Sequence, residues 1–334
     1  MRKARTTMAD IARMADVDIS TVSRALADSP KVTEETKARI RQIVEDTGYV
    51  VNHGARMLRN KRSGQMLVML PNIAATFFPE VVLGIEDRLQ EEGFNVVVGS
   101  TRNDKEREDS LARQLLTGAA DGVILMTGHL PSELEALPQY DRRVVGVSRA
   151  IDNNGIPQVN IDNEAAASTA TAHLISLGHS SIAHLAGPAG SPTFRARADG
   201  YTSMMQASGL THNVSTIASN RFNLDAGMDS MRRLLAEKNR PTAVLCASDE
   251  MAMGAMQIAR EAGLSIPGDI AFIGFDDIAF SSVVTPPLST IRIPRYDMGV
   301  MGAQMLLCNL DLDQAKPDSV VMPHELISRE SSGA

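Results

Sequence analysis

The chain has 334 residues, of which 43% are hydrophobic, enough to bury the core of one small and one large domain or of three small ones. Its two cysteines, Cys246 and Cys308, stand in apolar segments without the paired histidines of a metal site, so we expect two reduced, buried thiols. No apolar segment follows the basic N-terminus, and no stretch approaches the roughly 18 apolar residues that span a bilayer. We therefore expect a cytoplasmic protein without contact to a membrane.

Charge is distributed unevenly along the chain. The net charge is −7, yet residues 1–64 hold 13 Lys and Arg against 8 Asp and Glu. A basic N-terminal segment on an acidic body suggests a polyanionic partner for that segment, such as a nucleic acid. Charge alone leaves a solvated basic tail equally open.

Residues 7–48 have the pattern of three short helices. Thr7 and Asp10 have the spacing of a capping box at the start of the first helix, and Asp18 is a suitable cap for the second. Thr33 precedes the third helix, which Gly48 ends. Two helices joined by a few residues and closed by a third form a helix-turn-helix unit.

The second predicted helix is rich in hydroxyl groups. Its first turns hold Ile19, Ser20, Thr21, Ser23 and Arg24. In a recognition helix these turns enter the major groove of DNA, where an arginine can donate two hydrogen bonds to guanine. A capped surface helix in a small helical bundle is the alternative interpretation.

A basic linker follows, and from Gln65 onward apolar strands alternate with amphipathic helices. Strands are predicted at 66–71, 95–100, 121–126 and 143–148, and in a second series at 182–187, 242–248 and 270–276. Continuous apolar strands that alternate with helices indicate parallel sheets covered on both faces. Two such series predict two similar α/β lobes, with a ligand site at the carboxyl ends of their strands.

The segment MADIARMADVDISTVSRALADSPKVTEETKARIRQIVEDTGYVVNHGARMLR resembles the DNA-binding headpiece of the LacI family of transcription regulators. The motifs ADGVILM, RARADGY, SDEMAMGAM, IPGDIAFIGFDD and PPLSTI extend the resemblance over nearly the whole chain. It implies an all-α helix-turn-helix headpiece (1–50), a hinge helix and linker (51–64), and a two-lobed α/β core with parallel sheets like those of periplasmic binding proteins (65–334). The family usually has Gly where Asp16 stands, but Asp tolerates a left-handed backbone, so we expect the turn to survive.

The resemblance implies roles for the second helix. Ile19, Ser20 and Arg24 would contact bases in the major groove, while Thr21 and Ser23 would hold phosphates. A homodimer would place two such helices on the half-sites of a palindromic operator.

The resemblance also implies a hinge helix near 52–59 that enters the minor groove. Leu58 falls where the family inserts a leucine between base steps and kinks the duplex, with Ala55 packed beside it. Asn52 begins this hinge segment.

For the core, the resemblance implies a small-molecule effector between the lobes. Phe77 and Phe78 would lie against a ligand ring, with two core phenylalanines as the alternative. Arg197 and Asp276 would supply polar contacts, with a salt bridge between the lobes as the alternative. Three further candidates are Thr193, Phe222 and Asp249. Two further residues, expected near the cleft or else at the surface, are Arg149 and Asp162.

Two features of the sequence concern the identity of the effector. FFPEVVLGIE and the segment from FDDIAF to PPLSTIRIPRY most resemble the cytidine-repressor branch, which favours a nucleoside or pentose-like ligand, with a pentose or another sugar in place of a nucleoside as the alternative. Ser191 stands where the purine-repressor branch has a second cleft arginine, so a purine is less expected. The sequence lacks the G-x-G-x-x-G, P-loop and G-x-S-x-G motifs, which argues against an enzyme and against a bound cofactor.

Overall fold

A computed structural model of the chain describes residues 6–26, 28–49, 62–135, 142–152, 155–313 and 315–333. The chain divides into two compact units, Met1–Arg62 and Ser63–Ala334. No helix among these described residues is long and apolar enough to cross a membrane.

The described residues of the first unit form three helices, α1 (Met8–Met14), α2 (Ile19–Leu26) and α3 (Glu34–Thr47). The predicted capping box is confirmed: the Thr7 hydroxyl accepts from the Asp10 N–H at 3.3 Å, and the Asp10 carboxylate accepts from the Thr7 N–H at 3.0 Å. The Thr33 hydroxyl caps α3 through the N–H of Thr36, and Gly48 ends α3 in a left-handed conformation with φ 62°. Local capping signals therefore define all three helices.

The turn between α1 and α2 depends on Asp16, whose φ of 49° lies in the left-handed region, as the sequence predicted. Two residues later, the Asp18 carboxylate accepts the N–H of Ser20 at 2.7 Å and begins α2. One fully buried residue from each helix fills the small core: Ile11, Val22 and Ile40.

The first lobe of the second unit is a six-stranded sheet in the order β11-β5-β4-β3-β1-β2, with all neighbours parallel. Its strands are β1 (Gln65–Leu70), β2 (Asn95–Ser100), β3 (Gly122–Leu125), β4 (Val144–Val147), β5 (Gln158–Ile161) and β11 (Val320–Met322). The helices of this lobe are α4 (Phe78–Glu91), α5 (Lys105–Leu116), α6 (Ser132–Glu135) and, from late in the chain, α11 (Arg295–Leu310). The apolar runs of β1, β3 and β4 are buried within the sheet, as parallel strands covered on both faces require, whereas that of the edge strand β2 is half-buried.

The second lobe is a six-stranded sheet in the order β12-β10-β9-β8-β6-β7. Its strands are β6 (Ile182–Ala186), β7 (Val214–Ala218), β8 (Ala243–Cys246), β9 (Ala271–Asp276), β10 (Ser289–Arg292) and β12 (Glu325–Ile327), and all pair in parallel except β12 with β10. Its helices are α7 (Asn163–Ser176), α8 (Pro192–Ala207), α9 (Leu224–Leu235) and α10 (Asp249–Glu261). The predicted fold class, a helical headpiece with a two-lobed parallel α/β core, is confirmed.

The chain passes between the lobes at 161–163, 292–295 and 322–325. Helix α11 returns to the first lobe and packs closely on α4: a Cβ on Gly84 would lie 2.1 Å from the carbonyl oxygen of Tyr296. This contact requires a residue without a side chain, so it ties the late segment of the chain to the first lobe.

Two local predictions need correction or extension, and a third lies outside the described residues. The short strands β5, β7, β10, β11 and β12 were not predicted from the sequence. Cys246 is buried and unpaired as expected, but Cys308, on α11, is only half-buried, and its sulfur accepts from the Gln304 amide at 3.2 Å. The predicted boundary between headpiece and hinge falls among residues 50–61, outside the described residues.

Candidate functional site

Helix α2 has a buried face and an outward face. Val22 and Ala25 are buried against the other helices of the unit. The side chains proposed to contact DNA divide between exposed positions and half-buried ones at the edge of the helix. Three of these residues are exposed, Ile19, Ser20 and Arg24, and two are half-buried, Thr21 and Ser23. The outward face thus presents an apolar group, a hydroxyl and a guanidinium from the first two turns, which is the chemistry of a groove-reading helix.

The three hinge residues proposed to contact DNA are Asn52, Ala55 and Leu58. All three lie outside the described residues, so their roles stay predictions.

The second unit has a cavity of about 1070 Å³ between its lobes. Its walls are the loops and first helical turns that follow parallel strands of both sheets. They include Asn72, Arg102, His129 and Arg149 from the first lobe and Ser191, Phe222 and Glu250 from the second. A crevice at the carboxyl ends of parallel strands is where α/β folds bind ligands, so the cavity lies where the sequence predicted the ligand site.

A smaller pocket of about 40 Å³ shares Ala75, Arg149, Phe222 and Glu250 with the large cavity. Most of the proposed effector contacts line one or both of these spaces: Phe77, Phe78, Thr193, Arg197, Phe222 and Asp276. Phe77 and Phe78 meet edge to face at 5.3 Å, and Phe78 is also part of the buried core. Phe78 therefore combines the two roles that the sequence left as alternatives, a core residue and a pocket wall.

Arg197 and Asp276 form the charged centre of the smaller pocket. Arg197 donates to the Asn163 side chain at 2.9 Å and to the Ala247 carbonyl at 2.5 Å, and lies 3.7 Å from Asp276. Burial raises the pKa of Asp276 to about 8, and the nearby Arg197 acts against this rise. Both residues belong to the second lobe, on α8 and β9, so a salt bridge between the lobes is the wrong alternative.

Asp249 is not part of the cavity wall, contrary to what the resemblance implied. Its carboxylate is fully buried and accepts hydrogen bonds from the Ile278 N–H at 2.9 Å and from the hydroxyls of Ser281 and Thr290 at 2.6 Å each. These contacts join the start of α10 to the segment after β9, so Asp249 holds the second lobe together. Asp162 likewise caps α7, through the N–H of Ala165, and does not line the cavity.

Arg149, which the sequence placed near the cleft without a firm role, is a prominent part of both spaces. It is 8% exposed, and its guanidinium lies 4.5 Å from the ring centre of Phe222, 5.5 Å from that of Phe194 and 5.9 Å from that of Phe78. Burial lowers its pKa to about 10, so the group stays charged at neutral pH. The rings come from both lobes, which places a cation where the lobes meet.

The site also contains a histidine and an acid that the sequence did not single out. His129, in the loop after β3, contacts the buried carboxylate of Glu108 on α5 through Nε2. This hydrogen bond raises the pKa of His129. The only signal for His129 in the sequence was its place just after the carboxyl end of a predicted strand, where the ligand site was expected.

Known proteins resemble both units. Residues 7–52 match the model of bacterial regulatory proteins of the lacI family, and residues 171–332 match that of the periplasmic binding protein-like domain. Over its whole length the chain is similar to catabolite control protein A of Priestia megaterium, at 32% identity over 98% of this chain and 99% of that protein. The chain belongs to the lacI family of bacterial regulatory proteins. Members of this family are transcription regulators and not enzymes.

Two further lacI-family proteins show how far the likeness extends. The HTH-type transcriptional repressor CytR of Escherichia coli K12 is 33% identical over 98% of this chain and 96% of its own. The crystal structure of the lac repressor dimer bound to operator and the anti-inducer ONPF superimposes with a TM-score of 0.87, at 26% identity, over 99% of this chain and all of that one. The lacI fold therefore extends over the headpiece and both lobes.

Proposed function

We propose that this lacI-family protein is a sequence-specific transcription repressor that binds a palindromic operator as a homodimer. The observation that carries the proposal is the outward face of α2, where Ile19, Ser20 and Arg24 are exposed on a capped helix-turn-helix unit. In this arrangement Arg24 reads a base edge, and the half-buried Thr21 and Ser23 hold phosphates. The likeness to the lac repressor dimer on its operator supports the dimer and the operator.

The cavity between the lobes is proposed to bind a small-molecule effector, a sugar or a nucleoside, that sets the affinity for DNA. Carboxylates, amides and guanidinium groups in its walls can bind hydroxyl groups, and the phenylalanine rings can pack on a sugar or base ring. An effector changes DNA affinity if it binds the two conformations of the lobes with different affinity. The protein acts where its DNA lies, in the cytoplasm.

The proposal is tested by gel-shift titration of the full chain on the DNA upstream of its own gene. We expect binding to a palindromic site, and we expect Arg24→Ala to reduce the preference for that site over random DNA by roughly 5- to 150-fold. Arg39→Ala, which removes the same charge from the exposed surface of α3, is the matched control and should weaken binding to both DNAs alike. Failure of the wild-type protein to bind any DNA at low salt would refute the proposal.

A further inference from the structure

Arg149 stands out among the groups that line the cavity because its charge is buried and, within the described residues, is offset only by the more distant carboxylate of Asp276. No ion pair or side-chain hydrogen bond among those residues involves its guanidinium. The neighbouring cation is Arg197, which donates to the Asn163 side chain and the Ala247 carbonyl and lies closer to Asp276, at 3.7 Å. Burial of a charge is costly without a partner, so this arrangement favours a ligand that supplies the missing anion.

The aromatic rings around Arg149 do not take over this role. The faces of Phe78, Phe194 and Phe222 attract the cation but accept no strong hydrogen bond. A guanidinium has five N–H donors in a planar fork that matches a carboxylate or a phosphate. The rings hold the group in place and leave its donors for a ligand in the cavity.

The backbone fixes Arg149 at this position. Gly128 has a φ of 90°, and a Cβ there would lie 3.3 Å from the Cβ of Arg149, so the arginine stem packs directly on the glycine. The next residue, Ala150, donates its N–H to the Thr193 hydroxyl at 3.1 Å. This bond holds the loop after β4 against the first turn of α8.

The start of α8 adds a second, independent feature that favours an anion. Ser191 precedes the helix, but its hydroxyl forms no capping hydrogen bond. Its buried oxygen has no hydrogen-bond partner within the part of the chain that the structure describes, and Ser191 lines the same cavity as Arg149. The N-terminus of this 16-residue helix carries a partial positive charge and attracts anions.

The cavity wall also carries acidic groups. Four carboxylates line the two spaces: Glu135, Asp152, Glu250 and Asp276. Asp152 pairs with Arg195, and Glu250 accepts from the hydroxyl and N–H of Thr76. Carboxylates and amides bind the hydroxyl groups of a polyol, whereas Arg149 and Ser191 suit a negative charge.

We propose that the effector is a sugar-like molecule that carries one anionic group, a phosphate or a carboxylate, and that Arg149 and Ser191 at the start of α8 bind this group. The inference rests on the proposed function, in which the cavity is the effector site. The hydroxyl end of the effector then lies toward Arg197 and Asp276.

Isothermal titration of the full chain with matched compounds tests this inference. The probes are inorganic phosphate, ribose against ribose 5-phosphate, glucose against glucose 6-phosphate and gluconate, and uridine against uridine 5′-monophosphate. We expect a charged member to bind roughly 10- to 100-fold more tightly than its neutral partner, the effect of charged hydrogen bonds to one guanidinium. The three phosphorylated compounds test for a phosphate, and gluconate tests for a carboxylate.

Variants of the arginine complete the test. Arg149→Met should reduce the affinity for the charged compound to that for its neutral partner, whereas Arg149→Lys keeps the charge and should retain part of the preference. Arg232→Met, at an exposed arginine of α9 that pairs with Asp229, is the matched control and should change nothing. A melting curve for each variant verifies that it is folded.

Three results overturn the inference: equal binding of charged and neutral partners, a preference that survives Arg149→Met in a folded protein, or no binding of any charged probe, phosphate included. Operator binding without a ligand is measured on the same protein. A chain that binds its operator but shows no preference for anions contradicts this inference alone, whereas a chain that binds no DNA contradicts the proposed function.

Discussion

Arg197 and Asp276 lie 3.7 Å apart at the carboxyl end of the second sheet, both buried, yet the two side chains are not equally well partnered. The guanidinium also donates to Asn163 and Ala247 and stacks 3.6 Å from the ring centre of Phe275. Arg197 is thus held by its own lobe, whereas the Asp276 carboxylate has, among the described residues, only this 3.7 Å contact with a guanidinium. The carboxylate is therefore the group whose charge burial opposes most strongly.

Because the buried carboxylate of Asp276 has fewer partners than Arg197, we predict that the stability of the chain depends on pH. Burial raises the pKa of Asp276 from 3.8 to about 8, so between these values the folded chain holds a proton that the unfolded chain has lost. The free energy of unfolding should then fall as pH rises. We expect the wild type to lose up to about 1.4 kcal/mol per pH unit relative to Asp276→Asn between these pKa values, measured by urea unfolding at each pH.

The comparison with Asp276→Asn removes the effects of other groups. His184 is fully buried and its pKa is lowered to about 4, so its contribution to stability rises with pH and opposes that of Asp276. Both proteins contain His184, so its contribution cancels in the difference. If the free energies of unfolding of the wild type and of Asp276→Asn change with pH in parallel, Asp276 is ionised over the whole range.

Asp249 is expected to matter for folding. Asp249→Ala leaves the Ile278 N–H and the hydroxyls of Ser281 and Thr290 without their acceptor inside the second lobe. We expect the free energy of unfolding to fall by roughly 3 to 5 kcal/mol, measured by urea unfolding followed by circular dichroism. Asp225→Ala, at an exposed acid in the first turn of α9, should have a much smaller effect. An unchanged stability in Asp249→Ala would mean that water satisfies the three donors.

The contrast between Asp249 and Arg149 shows what the sequence can predict. Helix caps such as Thr7 depend on residues three positions apart, and the buried strands on runs of apolar residues, so a local pattern predicts both. The strand ends were predicted to converge on a cleft, and they do. Which side chain turns into that cleft depends on partners far along the chain. Asp249 is bound by Thr290, and Arg149 is surrounded by Phe78 and rings of the other lobe.

Short strands were missed for a related physical reason. β11 and β12 have three residues each. In the strand order of each sheet they are edge strands, added to a sheet whose other strands come from earlier in the chain. Three residues are too few for a period of two to be recognised. The pairing itself, β11 with β5 and β12 with β10, supplies their stability.

The pair of His129 and Glu108 predicts a shifted titration at the cavity wall. The Glu108 carboxylate raises the pKa of His129, while burial and Arg149 act in the opposite direction. The stabilisation from the pair is therefore complete below the ordinary histidine pKa and is lost as pH rises through the raised value. We expect an NMR titration midpoint for His129 that falls in Glu108→Gln and stays unchanged in Glu106→Gln, at an exposed residue of the same helix. Equal midpoints in all three proteins would rule out the contact.

The left-handed turn of the headpiece predicts opposite effects of two substitutions at one residue. Asp16 has a φ of 49°, which glycine adopts without steric cost and a β-branched residue resists strongly. Asp16→Gly should preserve or slightly raise the stability of the first unit, and Asp16→Val should lower it by about 1 to 2 kcal/mol. Hydrogen exchange at the amides of Ile11 and Val22 in the full chain measures both changes, since these buried residues lie on the helices that the turn joins. If Asp16→Val exchanges as slowly as the wild type, the turn between α1 and α2 does not require a left-handed residue.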